Sequence, residues 1–208
     1  MTEAPLPSLR RNDPAGSPRA LVLVLHGGKA RSRAVVDGRS ASWQRARAVQ
    51  DAITPAAHDA GAATWLVRFR HRGWNNGTDP VTDARWALDQ ARRELGDVPV
   101  VLLGHSMGAR TAVHVADHDG VLGVVGLAPW FPPGEPVAAL AGRHLLAVHG
   151  RRDRITSYRA TAEYVDRASR IASSARLHDM GAVGHYMLRR VGDWNRVAAE
   201  GVLDLLGR

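Results

Sequence analysis

The chain has 208 residues, 45% of them apolar and 23% charged, which suits one globular domain that closes a core without covalent staples. Cysteine is absent, excluding disulfides, thiolate metal sites and cysteine nucleophiles, and no apolar run approaches the ~18 residues of a membrane span. The formal charge of +8 would suit a nucleic-acid binder, yet Lys29 is the single lysine and the arginines are spread along the chain. A solvated basic surface is therefore the reading adopted, with no nucleic-acid and no membrane partner expected. The opening stretch Met1–Ser8 has no apolar segment of signal-peptide length, so a cytoplasmic protein is expected.

Residues 1–19 hold four prolines and no apolar periodicity, and read as a loosely ordered arm with room for one short strand near Leu9. Six apolar runs follow: Ala20–Leu25, Thr64–Phe69, Val98–Leu103, Val121–Leu127, Arg143–His149 and Ala175–Met180. Runs of this length suit strands covered on both faces, as in parallel sheets. Helical patterns lie between and after them, at about Ser42–Ala60, Pro80–Leu95, Met107–Asp117, Ser157–Ser169 and Val191–Leu206. In the second, Ala84, Ala87, Leu88, Ala91 and Leu95 recur at helical spacing while Arg85, Asp89, Arg92 and Arg93 face outward. Strand–helix units repeated in this way predict an α/β three-layer sandwich around a doubly wound, mostly parallel sheet of about six strands. Residues 20–208 are expected to form one domain. In such sheets ligands bind beyond the carboxyl ends of the strands, so the residues just after each run carry the functional reading.

The strongest of these is Gly104-His-Ser-Met-Gly108, between an apolar run and a helical pattern. That context fits a nucleophile elbow, with Ser106 on a strained turn and glycines letting neighbouring backbone approach. His105, the variable residue of the motif, is assigned to packing. The base is expected to be His185, in the glycine-bearing loop Gly181-Ala-Val-Gly-His-Tyr-Met187 after the last run. The orienting carboxylate is expected to be Asp153, in His149-Gly-Arg-Arg-Asp153, with Asp179 and Asp193 as rivals; the order Ser106, Asp153, His185, each after a different strand, decides for Asp153. His149 is given a surface or core role. His26-Gly27-Gly28 ends the first run in a tight turn that aims a backbone N–H at the oxygen also addressed by Met107 N–H. Gly28 is the expected donor, Lys29 the second choice. Gly28-Lys29-Ala30 fails the test for a phosphate loop, no dinucleotide fingerprint follows a strand, and no metal-spaced cluster of ligands occurs, so neither cofactor nor metal is expected.

Together HGG at His26–Gly28, GHSMG at Gly104–Gly108, HGRRD at His149–Asp153 and GH at Gly184–His185 resemble the α/β-hydrolase family, in its order, from about Ala20 onward. The resemblance implies a serine hydrolase with Ser106 as nucleophile, Asp153 as acid and His185 as base. The family's first two strands would be lost or reduced to part of residues 6–19, and Ala128–Gly142 is too short for a lid domain. The nearest likeness is to small lidless esterases and dienelactone-hydrolase-like members. A small ester or thioester is the expected substrate, with acyl transfer, amide hydrolysis or non-catalytic ligand binding as the alternatives. In Arg68-Phe-Arg-His-Arg-Gly-Trp-Asn75, Phe69 is read as packing inward, the arginines as ties between loops and Gly73 as a turn. Trp74, Trp130, Phe131 and Lys29 are the candidate pocket walls.

Overall fold

The computed structural model describes residues 5–207; the first four residues of the expected arm, and Arg208 at the end of the expected domain, lie outside them. Seven strands form one sheet: β1 (Ser8–Asn12), β2 (Ala20–Leu25), β3 (Ala62–Arg68), β4 (Val100–His105), β5 (Val121–Leu127), β6 (His144–His149) and β7 (Ser174–Asp179). Their order is β1-β3-β2-β4-β5-β6-β7, with all neighbours parallel except β1 and β3. The six apolar runs are all strands. The seventh strand comes from the arm, where Leu9 pairs with Val67. It has no apolar run because it is an edge strand with half its surface in water, and Arg10 and Arg11 cap it with ion pairs to Asp51 and Glu94.

β2 and β4 are buried along their whole length, and β3 and β5 at all but one residue each, as continuous apolar runs require. The run that begins at Val98 becomes a strand only at Val100, because Pro99 has no N–H to give to the ladder. Helices α1 (Ala41–Asp59) and α5 (Val191–Leu206) pack together on one face of the sheet. On the other face α2 (Thr78–Leu95) packs beside α3 (Met107–His114), and α4 (Tyr158–Ala168) lies on β6 and β7. α2 buries Ala84, Ala87, Leu88 and Ala91 as its periodicity predicts. α3 stops at His114, three residues short of the pattern. Val115 leaves helical geometry at φ −118°, ψ 10°, and the chain turns through residues 115–120 to enter β5 beside β4.

The 68–75 segment behaves as its alternation suggests. Phe69 is buried against the His26 ring, while Arg70 and Arg72 pair with Asp83 and Asp37 across loops. Between β5 and β6 the chain forms no inserted domain. It runs through Ala128–Arg143 with one short 3-10 turn at Ala138–Leu140. Buried Glu135 anchors this connection: Arg110 of α3 grips its carboxylate at 2.6 and 2.8 Å, and His114 Nε2 lies 2.6 Å away. Burial pushes the Glu135 pKa up, but the His114 and Arg110 hydrogen bonds outweigh it and hold the carboxyl below its ordinary value. Among the described residues, no helix is long and apolar enough to cross a membrane.

Candidate active site

The end of β4 and the start of α3 meet at Ser106, whose φ of 54° and ψ of −114° lie outside the regions comfortable for an L-residue. The turn is possible because the flanking glycines have no Cβ. A Cβ on Gly104 would sit 2.4 Å from Ala109 N, and one on Gly108 would sit 2.0 Å from Leu25 O. The strained turn lifts the Ser106 hydroxyl above the carboxyl edge of the sheet, while its carbonyl receives the N–H groups of Ala109 and Arg110.

There it meets groups from two other strand ends. His185 Nε2 lies 2.9 Å from Ser106 Oγ, and His185 Nδ1 lies 2.8 Å from Asp153 Oδ2. With Nδ1–H donating to the carboxylate, Nε2 is left to accept the serine proton. Asp153, fully buried at its side chain, accepts from five donors. Oδ1 takes the N–H groups of Ile155 and Thr156 at 2.8 and 2.9 Å; Oδ2 takes His185, the Thr156 hydroxyl at 2.8 Å and His149 Nε2 at 3.0 Å. Burial alone would raise its pKa, but the two histidines and the two amides reverse the sign and hold the carboxyl far below the usual range. The rivals are occupied elsewhere: Asp179 pairs with Arg151 and Asp193 with Arg190.

Sequence reasoning missed His149 and Thr156. His149 is wholly buried; the Asp153 carboxylate can only accept, so the His149 proton sits on Nε2 facing it, and Nδ1 is left to accept from the Thr161 hydroxyl at 2.9 Å. The signal was the His-x3-Asp spacing after β6. Thr156 could have been found from the Asx turn that an aspartate makes with the amides two and three residues on. His105 packs as expected, buried at the elbow with Nε2–H directed to the His185 carbonyl at 3.2 Å; its Nδ1 has no partner among the described residues. Burial is the main cause that lowers its pKa to about 3, and the nearby His185 and Arg45 add to it.

The turn after β2 lies against the elbow. A Cβ on Gly27 would stand 3.4 Å from Ser106 Cβ, and one on Gly28 would strike the Met107 thioether at 2.6 Å. The N–H groups of Gly28 and Met107 have no acceptor among the described residues, whereas Lys29 N–H is spent on Arg72 O at 2.8 Å. Lys29 therefore drops out as a backbone donor. His26 holds the turn: its Nδ1 bonds to Gly27 O at 2.6 Å and its Nε2 accepts from Phe69 N–H at 3.2 Å. Burial lowers its pKa to about 4.

Two cavities open beside Ser106. The smaller, about 230 Å³, lies between Gly27, Ala41, Arg45, His185, Tyr186 and Leu188. The larger, about 440 Å³, is walled by Lys29, Trp130, Ile155, Thr156 and Tyr186. Lys29 and Trp130 thus stand where pocket walls were expected. Trp74 and Phe131 do not. Trp74 is buried with Arg110 stacked over its ring at 4.1 Å, and Phe131 stacks on Tyr164 at 4.1 Å, because both complete the packing around the Glu135 anchor. Among the described residues no cluster of ligands suited to a metal ion occurs.

Residues 60–148 match the hydrolase family described as serine aminopeptidase, S33. No curated protein matches the chain. Among solved structures, an α/β serine hydrolase without lid from Xanthomonas campestris is similar at a TM-score of 0.74 and 16% identity, over 97% of this chain and 90% of that one. An α-β serine hydrolase homologue from Coxiella burnetii is similar at 0.71 and 17%, over 94% and 91%. Est1E from Butyrivibrio proteoclasticus, solved with ferulic acid bound, is similar at 0.72 and 14%, over 97% and 96%. With residues 60–148 matched to that family and nearly the whole chain following the architecture of these proteins, the protein has the α/β-hydrolase fold.

Proposed function

We propose that the protein is a serine hydrolase that cleaves a carboxylic ester or thioester of a small substrate through an acyl-enzyme on Ser106. The observation that carries this reading is the continuous hydrogen-bonded path from Ser106 Oγ through the His185 ring to the buried Asp153 carboxylate. His185 Nε2 takes the hydroxyl proton as Oγ attacks the carbonyl carbon, and Asp153 steadies the imidazolium that forms. The oxygen gains negative charge beside the N–H groups of Gly28 and Met107, which no acceptor among the described residues occupies. The imidazolium then gives its proton to the leaving oxygen or sulfur as the bond to the carbonyl carbon breaks. Water, deprotonated by the same Nε2, attacks the acyl-enzyme; the acid leaves and Ser106 recovers its proton.

The name of the matched family raises peptide hydrolysis at a free amino terminus as a second reading. The cavity walls argue against it: both carry a cation, Arg45 or Lys29, and neither is lined by Asp or Glu, so a substrate ammonium would meet no counter-charge. Est1E with ferulic acid, a product-like carboxylic acid, favours the ester side.

The test is mass spectrometry after exposure to a fluorophosphonate probe. A single adduct on the Ser106 peptide, absent from Ser106→Ala, is the expected outcome, together with loss of ester turnover in that variant. A folded protein that takes no label would remove the proposal.

A further inference from the structure

Arg45 is the unusual member of the smaller cavity. It sits half-buried on α1, with Nε donating to Tyr186 O at 2.9 Å and Nη2 donating to Met187 O. These are neutral carbonyls. No carboxylate pairs with Arg45 among the described residues, its Nη1 has no acceptor there, and burial alone accounts for the direction in which its pKa is lowered. Its charge is felt at His105, next to the nucleophile. A guanidinium that has lost part of its water and gained no counter-ion is an uncompensated cost in the free protein, and a ligand anion would remove it.

The surroundings have the same sign. Lys29, Arg31, Arg33, Arg152, Arg154 and Arg189 all stand exposed on the loops that follow β2, β6 and β7. None of these six has a carboxylate partner among the described residues, although Arg151 and Arg190 on the same loops pair with Asp179 and Asp193. The field at the mouth therefore draws in anions.

The site's geometry says which half of a substrate reaches Arg45. The leaving group must receive its proton from His185 Nε2, and His185 lines the smaller cavity but not the larger one. The acyl part then falls to the larger cavity, against Trp130, Ile155 and Tyr186. Building on the hydrolase reading above, we propose that the alcohol or thiol released by the reaction carries a carboxylate, held by Arg45 in the smaller cavity. The planar fork of a guanidinium suits a carboxylate, and the apolar walls at Ala41 and Leu188 exclude competing water.

The test compares 2-, 3- and 4-acetoxybenzoate with the matching acetoxybenzamides, so that the acyl group is constant and only the charge of the leaving group changes. The expected result is a kcat/KM preference of about tenfold or more for the carboxylate in at least one position, weakening as salt rises. In Arg45→Gln the preference should fall to about one, and Arg45→Lys should keep part of it. The ratio is the readout, because Arg45 also holds the 186–187 carbonyls and its loss slows both series. A second readout needs no turnover: 3- or 4-hydroxybenzoate should slow fluorophosphonate labelling of Ser106 in the wild type more than the hydroxybenzamide does, and not in Arg45→Gln. Labelling and ester turnover with equal rates on the two series, or a preference that survives in Arg45→Gln, overturns the Arg45 assignment alone. Absence of both labelling and turnover overturns the hydrolase reading, and this proposal with it.

Discussion

Asp153 accepts five hydrogen bonds, and every one of its neighbours is a donor. This makes an amide a poor replacement. In Asp153→Asn the NH₂ group must face either the Ile155 and Thr156 amides or the cluster of His149, Thr156 and His185. The variant should therefore lose ester turnover and also melt lower than wild type, by about 1–3 kcal/mol for a buried donor left facing donors. Thermal melts beside a rate assay check this, and an Asn variant as stable as wild type would mean that the cluster rearranges freely. Asp193→Asn, which disturbs only a half-exposed pair, should leave turnover close to wild type, and so should Asp179→Asn, whose Oδ1 can keep the Gly181 N–H bond. The hydrogen-bonded set Ser106, His185 and Asp153 was legible in the sequence because each follows a recognisable strand, in a turn that also holds glycine. His149 was not, since its spacing to Asp153 says nothing of which nitrogen faces the carboxylate; the ring is held with Nε2 toward Asp153 and Nδ1 toward Thr161, a residue from a different element.

At the scale of elements, the connection from β5 to β6 does more than close a gap. Glu135 ties it to α3 through Arg110 and His114, and Arg110 in turn lies between the rings of Trp74 and Trp130. One wall of the larger cavity thus rests on a buried ion pair. Glu135→Ala leaves the Arg110 charge without its partner and should cost on the order of 3 kcal/mol. Because Trp130 loses its support, KM for esters with bulky acyl groups should rise more than KM for acetates. Chemical denaturation and a chain-length series measure the two effects, and an unchanged KM profile would separate the wall from the anchor. The sequence showed Trp74, Trp130 and Phe131 as equivalent aromatics near the site. What separates them is which ring Arg110 and Tyr164 capture, a long-range packing outcome with no local signature. Strand bounds were clear where both faces are buried, as in β2 and β5, and faint at the edges. β1 pairs in the antiparallel sense and carries only one apolar residue, Leu9, and β7 alternates in exposure.

For the molecule as a whole, acid is the condition to which this architecture is most sensitive. His26 and His105 are buried in neutral form, with pKa values of about 4 and about 3 against 6.5 for a free histidine. Both lie below the unfolded value, so the unfolded chain takes up protons first as pH falls. Stability complete above about pH 6.5 is then lost progressively toward pH 4, with His26 alone accounting for on the order of 3 kcal/mol. Asp153 adds to the loss in stronger acid, since its folded pKa also lies below the free value. The melting temperature should fall steeply between pH 6.5 and 4, and a flat profile over that interval would contradict the burial of these two rings.

The strand order places β4, which delivers Ser106, in the middle of the sheet, while Asp153 and His185 arrive from the loops after β6 and β7, at the far end of the chain. A polypeptide still being synthesised therefore holds Ser106 long before His185 and Asp153 exist beside it. On the hydrolase proposal, chemistry that runs through His185 stays silent until the last strand has docked, so activity should appear only once the full chain has folded.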